Sequence, residues 1–186
     1  MKKVAFALAF TAIILMIPVI VRTNSLNAVY EDNMAVAQEV YIAPVRHAVA
    51  DALKIEKLVN DYRTANGLNS LTHNDLLCKS SKAKVDDMVA NKYFAHDSPD
   101  GKKGLSYIRD YGSFSGINGE NLALSSKSGV VDSTIVSSWI ASEGHRNNMV
   151  SDFTDTCVSV AETYDNQSGG LHIDRGVVVV QHFAHL

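Results

Sequence analysis

A domain of mixed helix and sheet, with helices leading and strands closing the chain, is predicted by three observations. Apolar residues recur at three- and four-residue steps in two long stretches of the first half. A β-branched run, Val177 to Val180, stands near the end, as in a strand covered on both faces. No internal repeat or low-complexity tract divides them, so the pattern reads as one α+β domain. At 186 residues, 46% of them hydrophobic, the chain has the size of one such domain plus an appendage.

The appendage comes first. Lys2 and Lys3 precede an uncharged stretch from Val4 to Val21 that Arg22 closes. Residues 1–22 therefore read as an export signal or a membrane anchor helix, the latter holding the membrane through residues 4–21 if uncleaved. Either places the remainder outside the cytoplasm. Residues 23–45 carry no clear period and end near Pro44, the character of a tether. The domain is expected over residues 46–186.

Within it, Val49, Leu53, Glu56, Val59 and Tyr62, joined by Ala52, Leu58 and Ala65, predict an amphipathic helix that Gly67 caps. A second helix starts at Asn74 or Asp75, carries Leu77, Ser81, Val85, Met88 and Val89 on one face, and leaves Lys79, Lys82, Lys84, Asp86 and Asp87 elsewhere. It fades near Tyr93. Asp97-Ser98-Pro99-Asp100-Gly101 has turn chemistry, and a short helix from about Leu105 to Tyr111 follows. Gly112 to Gly119 is rich in Gly and Ser. Asp132 then caps a helix bearing Ile135, Val136, Trp139 and Ile140, which stops near Gly144. Thr156 to Thr163 alternates as a strand, Asp165 to Gly170 is a loop, and Gly176 to Phe183 is the closing strand.

Composition excludes one partner class. A net charge of -3, without clustered Lys and Arg, argues against nucleic acid. Cys78 and Cys157 fall in the exported part, where a disulfide can persist, and two buried free thiols are the alternative. No metal-type cysteine spacing and no Gly-x-Ser-x-Gly elbow is present. The chemistry-bearing residues are His96, Glu120, Glu143 and His145. Two imidazoles and two carboxylates suffice to hold a divalent metal or move protons, if the fold brings them together.

The motifs carry a resemblance. Tyr93-Phe94-Ala95-His96, Ser98-Pro99-Asp100-Gly101, Gly119-Glu120-Asn121-Leu122-Ala123, Trp139, Gly144-His145-Arg146-Asn147-Asn148-Met149 and Gln181-His182-Phe183 follow Leu58-Val59-Asn60, Arg63, Gly67-Leu68 and Leu71. Together they resemble the bacterial branch of the CAP superfamily over about residues 55 to 184. The resemblance implies a three-layer α-β-α sandwich around a central antiparallel sheet. It also implies a cleft lined by two His and two acidic residues, which in several members hold zinc or another divalent cation. His96, Glu120 and His145 match that set, while Glu143 stands where bacterial relatives usually have Pro. Asn121, Arg146, Asn147 and Gln181 are expected to support the cleft.

Two function classes follow. In the first, the cleft binds a small molecule, lipid, glycan or peptide at the cell exterior. In the second, the same cleft is a metal-dependent, peptidase-like hydrolase. A purely structural domain is a third. The binding module leads, because no residue set specifies a reaction.

Overall fold

The computed structural model describes residues 50–112, 116–126, 131–168 and 171–185. The expected signal or anchor, the tether, the first residues of the domain and His47 lie outside them.

Helix α1, Ala52–Ala65, begins where the Asp51 side chain accepts from the backbone N–H groups of Leu53 and Lys54. Its buried face carries Ile55 and Val59. Leu53, which spacing puts on the apolar stripe, is 65% exposed; Ile55 takes its place and the stripe is rotated accordingly. Gly67 follows at φ +75, a left-handed turn that glycine adopts without strain.

The next elements are β1, Thr72–His73, and α2, Asp75–Ala90, which Asn74 caps through Leu76 and Leu77. Helix α3 is Gly104–Tyr111, and strand β2 is Asn118–Ser126. Helices α4, Asp132–Ala141, and α5, Glu143–Val150, are separated by Ser142 in an extended conformation. The long strands β3, Asp155–Ser168, and β4, Leu171–Ala184, end the domain.

The four strands form one sheet in the order β1-β3-β4-β2. The sheet is mixed, which corrects the expected antiparallel one: β3 pairs antiparallel with β4 and β4 with β2, but β1 runs parallel to β3. With two residues, β1 is too short to show a period, and Leu71 through Asn74 enters the sheet only as the link between α1 and α2.

Helices cover both faces. On one, Ile55 and Val59 of α1, Ile135, Val136 and Trp139 of α4 and Met149 of α5 pack on Val177, Val179 and Phe183 of β4. On the other, Val85 and Met88 of α2 meet Val178 and Val180 of β4 and Leu122 of β2, while Leu77 and Ile108 meet Ala184. Both faces of the Val177–Val180 run are thus buried, as that run predicts. Trp139 is 1% exposed and donates its indole N–H to Leu122 O at 2.9 Å.

Candidate functional site

The β2–β4 register decides which side chains meet. Glu120 lies opposite His182, and Asn121 opposite Gln181, so alternation sends the first pair to the α2 face and the second pair to the face of α1, α4 and α5. Glu120 is 4% exposed and His182 is fully buried. Glu120 Oε2 lies 3.0 Å from His182 Nε2, and Oε1 lies 2.6 Å from Nδ1 of His96, whose exposed ring comes from the loop after α2. The far nitrogen of His182, Nδ1, lies 2.7 Å from Ser80 Oγ on α2.

The chain Ser80–His182–Glu120 has one consistent proton pattern when His182 is neutral. Nε2–H donates to the carboxylate and Nδ1 accepts the Ser80 hydroxyl proton, which Leu77 O at 2.9 Å can then only share. Burial holds His182 neutral: desolvation pulls its pKa below the ordinary value, outweighing the hydrogen bond to Glu120. Burial alone would raise Glu120, but the hydrogen bonds from His182 and His96 keep its carboxyl below the usual range. His96 is raised, because its bond to Glu120 outweighs its own desolvation.

Lys84 stands beside this chain and corrects the sequence reading, which put it off the buried face. It is 0% exposed; its Nζ donates to Tyr93 Oη at 2.9 Å and lies 4.9 Å from the Tyr93 ring and 5.2 Å from the Tyr107 ring. Asp87 accepts from the hydroxyls of Tyr93, Tyr107 and Ser98. Desolvation lowers the Lys84 pKa, with the charges of Glu120 and Asp87 opposing it. The aromatic pair and the hydroxyl cluster therefore brace the loop that carries His96, and Tyr93 is less a plain core residue than a strut.

A cleft of about 530 Å³ opens where edge strand β2 begins. His96, Asp97, Lys103, Leu105 and Arg109 line one side, Asn118 to Glu120 the floor, and Asn148 the other side. Among the described residues, Asn118 Oδ1 is buried there without a hydrogen-bond partner. Gly104 is tight against the site: a Cβ on it would stand 2.6 Å from Glu120 Oε1 and 2.7 Å from His96 O.

Of the four expected ligands, the structure brings only His96 and Glu120 into contact. His145 is half-buried on α5 beside Trp139, with ring centroids 6.4 Å apart. Its pKa is lowered by burial and then by the nearby charge of His96. Glu143 is exposed on the first turn of α5. Among the described residues these four do not form a set of three whose ligand atoms lie within 4.8 Å of one another. As placed, with Oε2 of Glu120 turned to His182 and Oε1 to His96, they do not fit a three-ligand zinc centre.

The supporting residues divide. Asn121 donates to His145 O at 3.2 Å and accepts from Asn148, which also donates to Glu120 O at 3.0 Å, so two asparagines clasp α5 to β2. Arg146 donates to Ile140 O at 2.7 Å and ties α5 to the end of α4. Asn147 is exposed. Gln181, expected at the cleft, is fully buried on the opposite face of β4 and donates to Thr156 Oγ1 at 3.1 Å. Sequence reasoning missed His182, Ser80, Asn118, Lys103 and Arg109. His182 was within reach, because any strand placing Glu120 opposite the Gln181-His182-Phe183 motif pairs it with an imidazole.

Residues 56–183 match the model of the cysteine-rich secretory protein family, CAP. The chain belongs to the CAP family. The Bacillus subtilis protein YkwD is 33% identical to this CAP chain over 59% of it and 42% of YkwD. An extracellular protein containing a SCP domain from Bacillus anthracis is 26% identical with a TM-score of 0.58, covering 73% of this chain and 40% of that one. An outer surface protein of Borrelia burgdorferi gives the same TM-score of 0.58 at 22% identity, over 72% of this chain and 92% of its own, and shows the fold alone. This CAP chain thus spans less than half the length of the two Bacillus relatives.

The shifts give the CAP domain a defined pH response. His96 is raised, so its stabilisation is complete below the ordinary His value of 6.5 and is lost as pH rises through its folded pKa. Glu120 is lowered, so its contribution is present above 4.5 and is lost as pH falls through its folded pKa. His182 and His145 are lowered and oppose His96, taking up protons on unfolding below 6.5. The stability lost in His96→Gln is therefore expected to be larger at pH 5.5 than at pH 8, as urea unfolding at the two pH values will show.

Proposed function

We propose that this is an extracytoplasmic CAP domain whose cleft binds a glycan or peptide carrying hydroxyl or amide donors together with an anionic group. The observation that carries the reading is the polar lining of the cleft, where the exposed His96 ring and the Asn148 amide stand beside Lys103 and Arg109. Lys103 and Arg109 on the rim would meet the anionic group, although Asp97 already holds Lys103 at 2.6 Å. The description of the Bacillus anthracis neighbour as extracellular supports export.

Among the described residues, nothing in the cleft supports the hydrolase reading. The hydrogen-bond order Ser80–His182–Glu120 resembles a nucleophile, base and orienter, but both Ser80 and His182 are 0% exposed, so no substrate reaches the hydroxyl. His96 and Glu120, the pair that does reach the cleft, are bonded to each other.

The test titrates the protein with anionic oligosaccharides, acidic peptides and a detergent of similar length while recording amide shifts. Binding of an oligosaccharide or peptide should perturb Asn118 and Gly119. It should weaken about tenfold in Gly104→Ala, whose Cβ crowds Glu120 and narrows the cleft. Preferential binding of the detergent, or shifts confined to another surface, would remove the reading.

A further inference from the structure

A second constellation lies at the opposite edge of the sheet from the cleft, around β1. Cys78 on α2 and Cys157 on β3 form a disulfide. Its two sulfurs stand in unlike surroundings: Cys157 is 1% exposed, whereas Cys78 is partly exposed. Nε2 of His73 lies 3.2 Å from Cys78 Sγ. Nδ1 of the same ring lies 2.8 Å from Glu56 Oε2. The other oxygen of Glu56 accepts from the Val158 N–H at 2.8 Å, so the residue after Cys157 fixes the carboxylate. Along the chain His73 has no partner pattern, yet the fold places it in the order sulfur, imidazole, carboxylate.

A structural staple has no use for that order. A disulfide sulfur is a weak acceptor and carries no charge, so His73 gains little from it in the oxidised state. The same imidazole, oriented by a carboxylate that is 6% exposed, is placed to receive a proton from an incoming thiol and to face a thiolate once the bond opens.

We propose that Cys78–Cys157 is a thiol-exchange centre, with Cys78 the sulfur attacked and His73, positioned by Glu56, the proton carrier. The co-reactant is an external dithiol, small or on a partner protein. One of its thiols passes its proton to His73 Nε2, and the thiolate attacks Cys78 Sγ. A mixed disulfide forms, the Cys78–Cys157 bond breaks, and the Cys157 sulfur leaves with the electron pair. His73, whose ligand atom lies within 4.8 Å of both sulfurs, returns the proton to Cys157. The second external thiol loses its proton, attacks the external sulfur of the mixed disulfide and expels Cys78 as a thiolate beside His73, which that proton neutralises. Two electrons and two protons pass to the protein, and the dithiol becomes a disulfide.

The test follows reduction of the full-length protein by dithiothreitol at pH 7, quenched by alkylation and read by mass. His73→Phe is expected to slow reduction about tenfold even though losing the Glu56 bond lowers the melting temperature of the oxidised protein, a change that by itself would speed reduction. His73→Gln serves equally if the Phe variant fails to fold. With glutathione as a monothiol probe, peptide mapping should find the mixed disulfide on Cys78. Equal rates with and without His73, or glutathione on Cys157, would overturn the proposal.

Discussion

Replacing Glu120 by Ala is expected to destabilise the domain by about 3–5 kcal/mol, because two hydrogen bonds to a charged acceptor are lost with it, each worth about 1.5–3 kcal/mol. The carboxylate answers three groups at once. It accepts from His182 and His96 and supplies the largest of the charges opposing desolvation of Lys84. Its loss leaves a buried imidazole and a buried ammonium without that charge and frees the ring of His96. Glu120→Gln keeps the shape and one acceptor, so it should cost less than Ala while still lowering the His96 pKa towards 6.5. Urea unfolding followed by circular dichroism measures the first effect. An alanine variant within about 1 kcal/mol of the parent would show that Glu120 is not such a hub.

Removing the disulfide is the second large perturbation. Cys78 and Cys157 are separated by 79 residues, and the chain-entropy model gives about 4.5 kcal/mol for closing such a loop. The double variant Cys78→Ala/Cys157→Ala is expected to lose roughly that amount, less where the unfolded chain keeps residual structure. Because the bridge ties α2 to β3, the loss should appear in unfolding rather than in cleft geometry. Denaturant midpoints and m-values together read it out, since the uncrosslinked unfolded chain exposes more surface and raises m. This thermodynamic role is separate from exchange chemistry, since His73→Phe leaves the bridge intact.

The helices and the closing strand were legible because their periods are strong. The Val177–Val180 run and the Leu77, Val85, Met88 face predict burial that the sheet and α2 display. Three features were not legible. Strand β2 carries Gly119, Glu120 and Asn121 in succession, polar residues that hide its period because their partners are His182 and the α5 asparagine. Gly144 reads as a stop, yet α5 begins one residue earlier; the break is the extended backbone of Ser142, and Gly144 is only a residue of the first turn. Lys84 reads as a solvent residue by type, and only the two tyrosine rings and the neighbouring carboxylates explain its burial.

The site was legible in part for the same reason. His96 and Glu120 were found through their motifs, and the structure joins them. His145 and Glu143 are neighbours in sequence on α5, but that helix packs on the other side of the sheet edge and presents Asn148, not Glu143, to the cleft. Spacing along the chain does not report which side chains meet across a sheet. The register does, and it sets Glu120 opposite His182 and Asn121 opposite Gln181.

The Ser80–His182–Glu120–His96 chain is tested most directly by long-range proton–nitrogen correlation of the histidine rings across a pH titration. His182 is expected to be neutral at pH 7 with its proton on Nε2. His96 is expected to keep its charge to higher pH than an ordinary histidine, with both signals changing in Glu120→Gln. A His182 protonated at pH 7, or a His96 that titrates near 6.5 with and without Glu120, would contradict it.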